Sequence, residues 1–388
     1  MSLAREQLPE MPVVSNSLDT AKCRPVALPT EKTEMSKVYQ VCFVGPMVGR
    51  NSGYVTTQGE VLADQFASAG YPTISVSASP NRYFRLFDIV ATLIRRSKDV
   101  QIQCLQVFGG PSFIVEDMAS WLGRRLRQRI VMVLRGGAMP EFMARYPTWT
   151  RRVLRRADII VTPSAFLARA VGRLGLVACV IPNTLDLKRY PFRHRKQLSA
   201  RLLWMRSFHP IYNPELAVRV LARVREAVPK ASLVIAGQNK GTENDVKQLA
   251  YELGVADATH FPGYLDLPAK LQHGNSADIF LNTNHVDNVP VSVIEACAMG
   301  LPVVATNVGG IPDLLQDGET ALLVPSGDDQ AMAAGVIRLL QDPDLAGRLS
   351  ANGRRLAENF SWEQVRPQWE KLFGEVMASS KTKRKNPA

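Results

Sequence analysis

The stretch Asp287-Asn-Val-Pro-Val-Ser-Val-Ile-Glu295, continuing Ala-Cys-Ala-Met-Gly300-Leu-Pro-Val-Val304, sets two carboxylates on either side of a predicted helix start. Asn288 is placed to cap that helix, Pro290 suits its first turn, where a missing N–H costs nothing, and Gly300 can end it in the left-handed conformation. A helix beginning this way offers unpaired backbone N–H groups and the positive end of its dipole to an anion. Asp287 and Glu295 flank the anion, one suited to a sugar hydroxyl and the other to ribose hydroxyls, because carboxylates accept hydrogen bonds well from vicinal diols. Glu295 lies between Ile294 and Ala296 in an otherwise apolar helix. A buried acid needs a partner, which argues against a merely solvated face.

The surrounding chain supplies a frame for such a site. From Val38 short apolar runs alternate with helical patterns: Val38–Val44, Gly59–Ala69, Thr73–Val76 and Phe84–Ile94, then strands at Ile102–Phe108, Ile130–Leu134, Ile159–Thr162 and Cys179–Ile181. This is the βαβ rhythm of a parallel sheet. Residues 189–200 are basic and aperiodic, as a linker reads, and the rhythm restarts with strands at Arg201–Met205, Ser232–Ala236, Thr259–Phe261, Ile279–Asn282 and Pro302–Ala305. Predicted helices cover Glu215–Ala227, Glu243–Leu253, Val291–Met299, Asp328–Leu340, Pro343–Glu358 and Ser361–Met377. The fold class is therefore α/β: two Rossmann-like doubly wound parallel-sheet domains facing a cleft, where open sheets of this kind bind ligands. The expected division is a disordered tail over 1–36, an N-terminal domain over 37–190, a linker over 191–200 and a C-terminal domain over 201–360. A helix over 361–377 that can cross back to the first domain follows, and then a basic tail over 378–388.

A chain of 388 residues suits two domains rather than one core. Its five cysteines are scattered without a C-x-x-C pair and four sit among apolar neighbours, so a reducing, cytoplasmic compartment is expected. No apolar run is long enough to span a bilayer. Of the net charge of +12, most arises in residues 85–156, where 14 Arg and Lys face 5 Asp and Glu. Such a face attracts polyanions, either nucleic acid or the anionic inner surface of a membrane.

The C-terminal motifs resemble those of family 4 glycosyltransferases of the GT-B fold. The two acids are followed by Gly300-Leu-Pro-Val-Val304, then by Gly309-Gly310-Ile311-Pro312-Asp313 and by Gly318-Glu-Thr-Ala-Leu-Leu-Val-Pro325. The resemblance spans roughly residues 38–375. It implies a retaining transfer of sugar from a nucleotide-sugar, UDP- or GDP-linked, to a glycan or lipid-linked acceptor in polysaccharide or glycoconjugate synthesis, without a metal or other cofactor. By the same resemblance Asp287 contacts the donor sugar, Glu295 the ribose, and the peptide groups of Asn288, Val289, Pro290 and Val291 the phosphates. Arg206 clamps the diphosphate, Tyr264 and Leu265 face the nucleobase, and Gly53 belongs to the glycine-rich loop Gly45–Gly53 that closes under the donor. Tyr264 is as well explained by packing.

The sequence departs from the family at three points. Asp287 stands where Glu is commoner. The lysine that usually follows Arg206 is replaced by Ile211-Tyr212, with Lys240 available from a neighbouring loop either as a substitute or as a solvated charge. The histidine usual after the strand Ile130–Leu134 is replaced by Arg135, an acceptor-side candidate for phosphate or acidic groups, or else a structural arginine. The five histidines show no metal-ligand spacing.

Arg124, Arg125, Arg127 and Arg129 near Trp121, and Arg151, Arg152, Arg155 and Arg156 near Trp149, combine charge with apolar neighbours as membrane-surface helices do, although a solvated helix face has the same composition. Peripheral attachment at the inner face of the cytoplasmic membrane follows as an expectation. A nucleotide-sugar-binding protein without turnover is the alternative suggested by the missing Lys and His. A nucleic-acid-binding protein is suggested by charge alone, and no motif of that class is present.

Overall fold

The computed structural model describes residues 39–49, 51, 54 and 56–383, with side chains through Ser379. The expected N-terminal tail and Gly53 lie outside the described residues.

The first half runs β1 (Val41–Val44), α1 (Gln58–Ser68), β2 (Thr73–Val76), α2 (Arg82–Arg95), β3 (Ile102–Val107), α3 (Phe113–Arg125), β4 (Arg129–Leu134), α4 (Met139–Arg145), α5 (Pro147–Leu154), β5 (Ile159–Thr162), α6 (Ala165–Gly172) and β6 (Cys179–Val180). The second runs β7 (Arg201–Met205), α7 (Pro214–Ala227), β8 (Ser232–Ala236), α8 (Glu243–Glu252), β9 (Thr259–His260), α9 (Leu267–Ser276), β10 (Ile279–Asn282), α10 (Val291–Ala298), β11 (Val303–Thr306), α11 (Ile311–Leu314) and β12 (Leu322–Val324). It closes with α12 (Asp329–Gln341), α13 (Pro343–Glu358) and α14 (Trp362–Lys383). Helix α14 continues to Lys383 rather than ending at Met377, so the start of the expected basic tail is helical.

Both sheets have six strands, all parallel, in the orders β2-β1-β3-β4-β5-β6 and β12-β11-β10-β7-β8-β9. Parallel strands covered on both faces read as continuous apolar runs, and every residue of β1, β3 and β10 is buried. In the first sheet α2 to α6 cover one face, with Ile89, Leu93, Phe113, Met143, Val153 and Leu167 packed on Cys42, Leu105 and Met132. The other face takes α1 and α14. In the second sheet α7, α8, α12 and α13 cover one face, and α9, α10 and α11 the other.

The strand order reverses between β1 and β3 in the first sheet and between β7 and β10 in the second. A crevice opens at the carboxyl ends of strands at such a reversal, because the connections leave to opposite faces. The ends of β7 and β10 carry Arg206 and the loop to Asp287, which puts the two residues side by side although 81 positions separate them.

The segment 191–200 does more than link. Arg195 is 2% exposed, and its guanidinium donates to the carbonyl oxygens of Gly274 at 2.6 Å, of Ala277 at 3.1 Å and of Met299, around the ends of α9 and α10. Burial lowers its pKa to about 9, but it remains charged near neutrality and satisfies carbonyls left open at helix ends.

Candidate functional site

Arg206 emerges from β7, where its N–H donates to the carbonyl of Ala236 at 3.1 Å. Its guanidinium lies over the Tyr212 ring, 4.1 Å from the centroid. Tyr212 is fixed by a short chain: the buried Trp204 indole donates to Thr283 Oγ1 at 2.8 Å, and that hydroxyl donates to the Tyr212 carbonyl at 2.7 Å. Thus the position where the family lysine is missing holds an aromatic plate against the arginine, an arrangement worth about 0.5–2 kcal/mol. Gly237 at the end of β8 sits so close that a Cβ there would stand 1.6 Å from the Arg206 carbonyl oxygen.

The carboxylate of Asp287 is 7% exposed at the residue level and is engaged by the protein itself. Oδ2 accepts from Arg206 Nη2 and from Asn284 Nδ2, the latter at 2.7 Å, and Oδ1 accepts from the Asn288 N–H at 2.7 Å. The loop is pressed between glycines. A Cβ on Gly309, whose φ is +57°, would meet the Asp287 carbonyl oxygen at 2.1 Å, and one on Gly137 of the opposite lobe would meet Asp287 Cα at 3.0 Å. Asn288 does not cap the helix as expected. Helix α10 starts at Val291 behind Pro290 without a side-chain cap, and Asn288 Oδ1 instead accepts from Ser164 Oγ across the lobes. Arg169 and Asp313 make a second cross-lobe contact at 2.9 Å.

The uncapped start of α10 opens into a cleft of about 440 Å³. Arg206, Ser292 and Glu295 line it with Thr184, Tyr190, Lys270 and Arg189, while Thr56 and Gln58 close it from the first lobe. Glu295 has the partners its burial demands: its Oε1 accepts from the Tyr190 hydroxyl at 2.9 Å, and Lys270 Nζ lies 2.9 and 3.1 Å from the two carboxylate oxygens. Burial, then the Glu295 charge, pushes the Tyr190 phenol up, so it stays a donor at any ordinary pH. Three buried polar atoms of the lining, Thr184 Oγ1, Ser292 Oγ and Arg206 Nε, have no hydrogen-bond partner within the protein. Such atoms are uncommon in folded chains, and their convergence on one cleft beside free helix N–H groups suits a polar, anionic ligand.

The structure thus brings together Arg206, Glu295, Val291, Tyr264 and Leu265, all of which line the cleft. Asp287 stands behind Arg206 rather than in the lining, and Asn288, Val289 and Pro290 lie on the lobe junction or in the core beneath it. Lys240 is exposed and lies outside the lining. Besides Arg206, the cations at the wall are Lys270 and Arg189. Lys270 belongs to α9, which sequence reasoning missed although Asp266, whose side chain accepts from the Ala269 N–H at 3.0 Å, and Pro268 mark its start.

Arg135 is also outside this cleft. It is 9% exposed, donates through Nε to Gln106 Oε1 at 3.0 Å and through Nη1 to Asn183 Oδ1, and burial lowers its pKa to about 10. Among the described residues no group of three or more His, Cys, Asp or Glu is arranged so that it could hold a metal ion.

Residues 191–356 match the family described as Glycosyl transferases group 1. A glycogen synthase of Mycobacterium tuberculosis is 30% identical over 237 residues, 59% of this chain and 56% of its own length. A D-inositol 3-phosphate glycosyltransferase of Geodermatophilus obscurus is 30% identical over 252 residues, 59% of this chain and 55% of its own. The matched region therefore spans little more than half the length of these relatives. Among solved structures, sucrose-phosphate synthase of Thermosynechococcus elongatus superposes with a TM-score of 0.73 at 20% identity, covering 88% of this chain and all of the other. Anabaena HepE, solved with UDP and glucose, gives 0.68 at 16% identity over the same shares. The two parallel sheets are those of the GT-B framework, and residues 191–356 form a domain of the glycosyl transferases group 1 type.

Proposed function

We propose that the chain is a glycosyltransferase of the family 4 type that moves a sugar, with retention of configuration, from a UDP- or GDP-sugar to a glycan or lipid-linked acceptor. The observation that carries this reading is the convergence of Thr184 Oγ1, Ser292 Oγ, Arg206 Nε and the start of α10 on a cleft that also holds Glu295 and Lys270. Relatives whose names state such reactions support it, including a GDP-mannose-dependent mannosyltransferase of Mycolicibacterium smegmatis, as does the UDP and glucose held by HepE.

In this reading Glu295, aimed by Tyr190 and Lys270, accepts from the ribose hydroxyls. Tyr264 and Leu265 border the base. The diphosphate lies against the N–H groups at Val291 and Ser292 and against Arg206, with Arg189 and Lys270 supplying further positive potential in place of a resident metal. Asp287, behind Arg206, orients the guanidinium and acts on the transferred sugar side of the site. As the bond from the anomeric carbon to the diphosphate oxygen breaks, the acceptor oxygen bonds that carbon on the same face and its proton passes to the departing diphosphate. Phosphate stabilisation and orientation then do most of the work, without a strong protein base. Arg135 serves the acceptor side, and the enzyme works in the cytoplasm at the membrane's inner face in polysaccharide or glycoconjugate synthesis. Cys42, Cys104 and Cys297, free and buried, suit that compartment.

The test is release of free UDP or GDP from a panel of nucleotide-sugars, with and without added glycan or lipid-linked acceptor. Acceptor-stimulated release supports the transfer reaction. Binding without release, for every acceptor tried, would leave a sugar-nucleotide-binding protein without turnover.

A further inference from the structure

Helix α2 buries only Ile89 and Leu93 and turns its largest apolar side chains outward: Tyr83, Phe84 and Phe87 are 72%, 69% and 73% exposed. Beside it α3 does the same with Ile114, Met118 and Trp121, the last 50% exposed. Spacings of three and four residues align each set as a stripe along its helix, and the two helices lie on the same face of the first sheet. Other exposed large apolar residues, such as Val177, Tyr251 and Phe192, are scattered over both halves of the chain. A grouped patch of this kind in a soluble fold marks an interaction surface.

The charges around the patch say which partner fits. Arg82, Arg95, Arg96, Arg124 and Arg125 are exposed at its ends, and Arg125 lies over the Trp121 ring at 5.0 Å. The nearby acids are largely taken: Glu116 is buried, Asp117 is held by Arg152 and Arg156, Asp99 by Arg96, and Asp158 by Arg124 and Arg129. Asp88 remains, half-buried within 3.5 Å of the Thr92 hydroxyl. Exposed aromatics between arginines match the boundary between anionic head groups and acyl chains.

We infer that the outer face of α2 and α3 docks on an anionic lipid bilayer. The helices start beyond the carboxyl ends of β2 and β3, so Tyr83, Phe84 and Ile114 stand toward the end of the first sheet where the cleft opens. Docking there holds the mouth of the acceptor lobe at the membrane. The inference rests for its purpose on the proposed lipid-linked acceptor, and it moves the main contact from the arginine clusters at 124–129 and 151–156 to the apolar surface of α2 and α3.

The full chain should float with vesicles of phosphatidylglycerol and phosphatidylcholine in equal parts and not with phosphatidylcholine alone. Because Trp204 and Trp369 are buried and Trp149 and Trp362 half-buried, a blue shift on vesicle addition should come from Trp121 and disappear in Trp121→Phe. Phe84→Ser with Phe87→Ser should weaken vesicle binding about a hundredfold, while Arg151→Gln with Arg152→Gln should weaken it less. Retained nucleotide-sugar binding by each variant shows that it is folded. Wild-type protein that ignores anionic vesicles, or unchanged binding by the Phe84/Phe87 variant, overturns the inference. So does a shift from dimer to monomer in that variant without any vesicle binding by the wild type, which would make the face a self-association surface. Failure to bind any nucleotide-sugar would count against the donor site and leave the vesicle result standing.

Discussion

Glu295 is held by a neutral donor and a cation, Tyr190 and Lys270, and this pairing sets what each substitution should do. Lys270→Met leaves a buried carboxylate with one partner, and Glu295→Ala removes the ribose acceptor. Each should weaken donor binding by about 2–3 kcal/mol, and the double variant should cost less than the sum because the two act as a unit. Titration of donor into the four proteins checks the coupling, and strict additivity would separate the two residues. Arg206→Ala should slow transfer by about 2–4 kcal/mol, roughly 30- to 1000-fold, with Arg206→Lys recovering only part because a point charge cannot make the forked contact. Lys240→Ala should leave transfer rates unchanged, as Lys240 lies outside the lining. The paired acids about a helix start are a local pattern that pointed to Asp287 and Glu295, and of the two only Glu295 lines the cleft. Arg206, which also lines it, was reached through the family resemblance rather than from spacing. Lys270, Tyr190 and Arg189 were not legible in the sequence, since they reach the cleft from α9 and from the chain before β7, a placement that only tertiary packing decides.

Among the elements, α3 carries an acid whose environment makes stability depend on pH. Glu116 is buried, its Oε2 has no partner, its Oε1 accepts from the Phe108 N–H at 3.3 Å, and burial raises its pKa to about 8. Between the ordinary carboxyl pKa and that value the folded chain keeps a proton the unfolded chain has lost. Stability should therefore fall as pH rises through this window, by roughly 1.4 kcal/mol per unit from this group. Glu116→Gln should remove that slope in denaturant unfolding followed at several pH values; an unchanged slope would show that Glu116 is not its source. The loop before α10 depends on Gly309, where a Cβ is excluded both by the Asp287 carbonyl and by a positive φ. Gly309→Ala should cost more than about 1 kcal/mol and weaken donor binding with it. Strand positions were readable because parallel strands are continuous apolar runs between glycines and helices. The start of α10 was misread at one residue: Asn288 has the chemistry of a cap, yet Ser164 of the opposite lobe takes its side chain.

At the scale of the molecule, α14 leaves the second lobe and buries Val365, Trp369, Leu372, Phe373 and Val376 against Phe43, Phe66 and Tyr71 of the first. The Tyr71 hydroxyl donates to Glu370 at 2.6 Å. Trp369→Ala should cost about 3–5 kcal/mol in denaturant unfolding, as large truncations in a packed core do, although the residue does not line the cleft. A loss below about 1 kcal/mol would mean that the helix contributes little to holding the chain together. The central claim is that the cleft between these lobes holds a nucleotide-sugar through Glu295, Lys270 and Arg206. Titration calorimetry of UDP- and GDP-sugars into the wild type, Glu295→Ala and Arg206→Ala tests it most directly. One nucleotide class should bind the wild type and lose about tenfold or more in affinity in each variant. Equal affinity in all three proteins would contradict the account and place the donor elsewhere.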